Sequence, residues 1–250
     1  MEAPLAGWRP DVYTRGVRAS DRAYLTLREE IIEGALAPGS VLGEVEQSAR
    51  LGLSRTPLRE ALGRLVADGL AEQSPRRGIV VTAVSLSEAS DLFEVRSALE
   101  VLAARRAAEN VAHQPASTGH SPRELLADLA VRFETATVDL AAGADPTAYY
   151  ALTEELDAAI DSAAGNRHLA DALRDVRVHL GRLRRLSRDS PGRLADSARE
   201  HAAIARAVAT GNPQLAAATT TVHLQQALTH LLTGAPAATD ATPSPQETTP

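Results

Sequence analysis

No cysteine occurs anywhere in the chain, which excludes disulfide frameworks, thiol nucleophiles and cysteine-based zinc sites. Aromatic residues are scarce as well, at 3%, with a single tryptophan, Trp8, and a single methionine. A core must then be assembled from Leu, Val, Ile and the abundant Ala, and that palette favours helices. No apolar run approaches the ~18 residues that a membrane-spanning helix needs. Met1-Glu2-Ala3-Pro4 opens neither a basic nor an apolar targeting segment. The expectation is a cytoplasmic chain with no membrane partner. Positive charge is also in short supply: the net charge is −6, which argues against a general polyanion binder.

Distribution matters more than the total. Between residues 50 and 78 stand Arg50, Arg55, Arg59, Arg64, Arg76 and Arg77 against only Glu60, Asp68 and Glu72. An acidic chain therefore carries a local basic patch. At its centre lies Leu53-Ser54-Arg55-Thr56-Pro57-Leu58-Arg59-Glu60-Ala61-Leu62, continuing through Gly63-Arg64-Leu65-Val66. A hydroxyl residue followed by Pro is a helix start, because the hydroxyl caps free N–H groups and Pro fits the first turn; a helix is expected from near Thr56. At 100° per residue Leu58, Ala61, Leu62, Leu65 and Val66 share one side, and Thr56, Arg59 and Gly63 gather on the other. Short residues beside an arginine suit a face that enters the DNA major groove, where Arg reaches phosphate or guanine O6/N7.

On either side the pattern is orderly. Tyr24, Leu27 and Ile31 at i, i+3, i+7 predict a first helix over 21–33, capped by Ser20 or Asp21. Ala37-Pro38-Gly39-Ser40 is a turn, and 43–51 a short second helix ending at Gly52. After Gly69 the period changes: Leu70-Ala71-Glu72-Gln73 and Ile79-Val80-Val81-Thr82 flank Ser74-Pro75-Arg76-Arg77-Gly78, which reads as a hairpin. Three helices and a hairpin make a winged helix-turn-helix with Arg76, Arg77 and Gly78 at the wing tip. From Ser85 onward only helical signals occur. Helices are expected over 86–111 (with Ser87 ahead of Glu88), 122–141, 146–164, 167–187, 191–210 and 213–232, and a loop over 113–121. The fold class is thus mainly α: a flexible leader over 1–19, a winged helix-turn-helix over 20–83, an all-helical bundle of about six helices over 86–233, and a disordered Pro/Ala/Thr-rich tail over 234–250.

These residues resemble the GntR family of bacterial transcription regulators, in its FadR-like branch with an FCD effector domain, and the helix count is similar to the VanR-like subgroup. The resemblance rests on Ile31-Ile32-Glu33-Gly34, Pro38-Gly39, Leu51 through Leu62, Asp68-Gly69-Leu70 and Arg76-Arg77-Gly78 in the first half. In the second it rests on Arg96-Ser97-Ala98-Leu99-Glu100, Gly165-Asn166, Glu200-His201-Ala202-Ala203-Ile204 and His223. The second helix departs from the pattern, with Gln47-Ser48 where the family usually has Leu-Ala. The resemblance implies a ligand-responsive dimeric regulator, not an enzyme. Arg55, Thr56, Arg59 and Gly63 would meet double-stranded operator DNA, and Arg76, Arg77 and Gly78 would meet it at the wing. A two-fold dimer should read a palindrome with half-sites about 34 Å apart, or closer if the recognition helices converge.

The resemblance further implies an effector site. Many FCD domains hold a divalent metal through an Asp and a His four residues apart, plus two later histidines. Anchored on Gly165-Asn166, the Asp position falls on Thr153 and the His position on Asp157. Asp157, His201 and His223 then remain as a two-His, one-carboxylate set suited to Zn, Ni or Mn, with Glu154 in reserve. A small carboxylate effector would complete the coordination. Without a metal, Arg96, His201 and His223 would bind an anion directly, Arg offering a bidentate fork; alternatively Arg96 pairs with Glu100 at i, i+4. A metal-dependent hydrolase built on Asp157, His201 and His223 leaves the winged helix unexplained and lacks an obvious general base. A winged helix serving only protein contacts would not need cations on both helix and wing.

Overall fold

The computed structural model describes residues 18–83, 89–113, 121–186 and 191–234. The expected leader up to residue 17, the Ser87 cap, most of the 113–121 loop and the tail beyond 234 lie outside them. Contacts divide the chain into two compact units, Met1–Val84 and Ser85–Pro250.

In the first unit α1 (Ala19–Ile32), α2 (Glu44–Leu51) and α3 (Arg55–Ala67) precede β1 (Ala71–Ser74) and β2 (Gly78–Val81). Helix α1 starts at Ala19, two residues before the expected site, with Arg18 at its N-cap, and neither Ser20 nor Asp21 caps it; Ser20 is buried instead. Helix α3 starts at Arg55 after Ser54, again without a side-chain cap bond, so the expected hydroxyl cap is not made. Its buried stripe is Leu58, Ala61, Leu62 and Leu65, packed with Ala23, Leu27 and Ile31 of α1. The wing strands pair antiparallel, Ala71 opposite Val81 and Ser74 opposite Gly78. The turn after α1 does more than reverse the chain. Its backbone lies along β2, with Leu42 N donating to Ile79 O and Val81 N to Ser40 O, so β2 has polar partners on both edges.

Gln47 occupies a core position on α2, 2% exposed, where an aliphatic side chain is the family habit. Burial of an amide is tolerable only with a partner. Arg50 Nε supplies one at 2.8 Å, and Arg50 in turn grips Glu30 of α1 through both Nη groups.

The second unit consists, among the described residues, of α4 (Ala89–His113), α5 (Pro122–Ala141), α6 (Thr147–Ala164), α7 (Arg167–Leu186), α8 (Pro191–Ala209) and α9 (Pro213–Gly234). Alanines 103, 104, 107 and 108 on α4 and 198, 202 and 205 on α8 lie in its core. Small side chains let helix axes approach closely, which explains how a chain poor in aromatics still fills its interior. Phe133 of α5 is fully buried there, worth about 1.5–3 kcal/mol relative to exposure. Helix α5 opens with a complete capping box: Glu124 N donates to Ser121 Oγ, and Ser121 N to a Glu124 carboxylate oxygen. Asn166 accepts from the first free amides of α7, and Asn212 from Leu215 N of α9. No described helix is long and apolar enough to cross a membrane.

Candidate functional site

On α3 the residues left over by core packing are the ones singled out for DNA. Arg55, Thr56, Arg59 and Gly63 are all exposed. Arg76, Arg77 and Gly78 are exposed at the wing turn, where Gly78 takes a left-handed φ of +79°. A Cβ built at Gly63 would meet nothing within 4 Å. Arg64, though also exposed, is engaged within the unit: it pairs with Asp21 at 2.7 Å and lies 3.9 Å over the Tyr24 ring. Arg59 has a partner that sequence periodicity did not reveal, Glu44 at the start of α2, 2.7 Å from its Nε. Both side chains are well exposed, so the pair is weak.

In the helical unit, Arg96, Asp157, His201 and His223 do line one cleft, together with Glu100, Thr153 and Arg177. Arg96 forms the i, i+4 pair with Glu100, Nε to Oε1 at 2.7 Å. Burial alone would push the Glu100 carboxyl up, but the charge and hydrogen bond of Arg96, helped by Arg177 and His223, hold it below its ordinary value. His201 and His223 stand side by side, ring centroids 4.4 Å apart. His201 Nδ1 meets the Tyr149 hydroxyl at 3.1 Å, and Phe133 stacks on its ring. His223 Nδ1 meets Glu200 at 2.7 Å, and Glu200 is also held by both Nη groups of Arg193.

The expected metal set does not assemble. Among the described residues no group of three or more His, Cys, Asp or Glu side chains is arranged to hold an ion. Asp157 is drawn to α7 instead: its Oδ2 lies 3.0 Å from Arg177 Nε, a close ion pair lacking hydrogen-bond alignment, while Arg177 Nη1 bonds Asp161 at 2.6 Å. Thr153 donates its hydroxyl to Tyr150 O, and Glu154 is exposed. Two guanidinium groups line the place a dication would need, so the donor set does not fit a divalent metal. Arg177 was not foreseen, since no motif marks it and its pairing is fixed only by α7 packing.

A second cleft shares Arg96 and His223 with the first and runs between α4, α6, α7, α8 and α9. Its walls add Phe93, Leu180, Leu183, Leu194 and Leu231, with Arg193, Ser197, His230 and the Tyr149 and Tyr150 side chains as polar groups; among the described residues no carboxylate lines it.

A winged helix followed by an all-helical domain is the domain order of bacterial regulatory proteins that carry an FCD domain. Residues 19–81 match the bacterial regulatory proteins of the gntR family and residues 91–226 match the FCD domain, and the chain belongs to that family. It is 41% identical over 105 residues to an uncharacterized HTH-type transcriptional regulator in the TAR-I ttuE-ttuC' intergenic region of Agrobacterium vitis, covering 42% of this chain and 61% of that protein. It is 37% identical to the HTH-type transcriptional repressor RspR of Escherichia coli strain K12 over 37% of this chain and 40% of that one. The chain thus spans about half the length of these two relatives. A probable D-xylose utilization operon transcriptional repressor of Paenarthrobacter nicotinovorans is 32% identical over 202 residues, 80% of each chain. The solved structure of E. coli McbR/YncC superposes with a TM-score of 0.68 at 21% identity, covering 87% of this chain and 98% of that one, a likeness of fold.

Proposed function

We propose that the chain acts in the cytoplasm as a homodimer that reads a palindromic operator, and that a small carboxylate effector in the helical domain alters its DNA affinity. Helix α3 enters the major groove with Arg55, Thr56 and Arg59, while Arg76 and Arg77 take phosphates or the minor groove beside it. The observation that carries this reading is the exposed α3 face, where arginines flank a glycine that nothing in the protein requires. Likeness to proteins named as repressors favours repression as the output. The effector works by stabilising one of two dimer arrangements that differ in the spacing of the recognition helices.

Selection of bound sequences from random duplex DNA tests the reading. The expected product is an inverted repeat bound by two chains, with Arg59→Ala weakening binding by roughly 1–3 kcal/mol at fixed salt while the fold is kept. Selected sequences without two-fold symmetry, or Arg59→Ala binding as tightly as the parent, would overturn it.

A further inference from the structure

We infer that the helical domain takes its effector without a metal, on the guanidinium of Arg96, and that this effector is a monocarboxylate with an apolar body. The inference rests on the proposal that this domain binds an effector; what it adds is the chemistry of recognition. Arg96 is 5% exposed, and among the described residues its one hydrogen bond is from Nε to Glu100. Its two Nη groups therefore remain for a ligand, in a side chain that lines both clefts. A carboxylate accepts two parallel bonds from such a fork, which no spherical cation could do.

The surroundings choose the rest of the ligand. Glu100 and Asp157 line the cleft where Arg177 has replaced any place for a metal, so a second anion is disfavoured on that side. On the other side of Arg96 the described lining residues include Arg193, His223 and His230 and no carboxylate, with Glu200 behind the wall holding Arg193 and His223. The Nη groups of Arg96 offer one carboxylate a partner there. The same cleft is walled by Phe93, Leu180, Leu183, Leu194 and Leu231, five apolar side chains that reward an aryl or branched alkyl body.

Thermal unfolding of the full chain, purified without a polyhistidine tag and dialysed against EDTA, tests the inference with benzoate and 4-methylpentanoate as probes and their amides as neutral controls. At saturating acid the midpoint should rise by roughly 5 °C with EDTA present, and the amides should leave it unchanged. Arg96→Met alone strands Glu100 as a buried charge, so the variant to use is Arg96→Met with Glu100→Gln, which should unfold cooperatively and lose the shift. A shift that requires added Zn²⁺, that the amides reproduce or that survives in the double variant overturns the inference. So does the absence of a shift with both acids. DNA binding by the same protein is read separately by fluorescence anisotropy. Protein that binds DNA but responds to neither acid sinks this inference alone, whereas protein that binds no DNA sinks the proposed function.

Discussion

Glycine inside a helix costs about 0.8–1 kcal/mol relative to alanine, and a Cβ at Gly63 would touch nothing within 4 Å. Internal packing gives no reason for it. On the proposed DNA-binding reading the face it occupies does, because a side chain there would hold the α3 backbone away from DNA. Gly63→Ala should therefore raise stability by about 0.5–1 kcal/mol in urea unfolding while weakening operator binding, opposite signs that a merely tolerant surface site would not give. Tyr24 makes a different residue-scale point. Its hydroxyl donates to Asp68 Oδ2 at 2.5 Å, tying α1 to the end of α3. Burial first, then the hydrogen bond and negative charge of Asp68, push its pKa up to about 12. Because the folded value lies above the unfolded value near 10, this contribution is complete below pH 10 and is lost as the pH climbs toward 12. Tyrosinate absorbance should show a late-titrating tyrosine that Asp68→Asn moves down.

Between residue and molecule, helix ends hold the second unit in register. Arg123 of α5 donates Nη1 to Ala209 O at the end of α8 and Nη2 to Val111 O near the end of α4. One cation thus satisfies carbonyls on two helices and sits at the negative end of both dipoles. Arg123→Ala should lower stability by about 1–2 kcal/mol, read as a lower urea midpoint with an unchanged m-value. Asn110 plays a similar part, donating to Ala163 O and Ala164 O, where Gly165 ends α6 in the left-handed region. The start of α5 at Pro122, the end of α6 before Gly165 and the start of α9 after Asn212 were legible, because helix-terminal signals are local chemistry. The starts of α1 and α3 were displaced by one or two residues, since the expected hydroxyl caps are not made there and packing sets the first turn. The reach of Arg123 and Asn110 across helices had no local signal at all.

At the scale of the whole molecule, a chain of net charge −6 binds a polyanion only through a confined surface. With Arg55, Arg59, Arg76 and Arg77 from each chain of a dimer, log K should fall against log salt with a slope of at most about 7 in magnitude. Arg76→Ala with Arg77→Ala should reduce that slope by about 3–4, and anisotropy titrations across salt concentrations would show it.

The sequence by itself determined the family, the order of the helices, the hairpin and the arginine face of α3, because each is written in short-range periodicity and turn chemistry. It also placed Arg96, Asp157, His201 and His223 around one cleft, through motif positions on separate helices. Only the tertiary structure decided what that cleft can hold. Asp157 turns to Arg177 because α7 brings a guanidinium within 3.0 Å of it, and Glu100 engages Arg96 through its Nε. Such outcomes depend on which helices meet and at what height, and spacing along a single chain does not encode that.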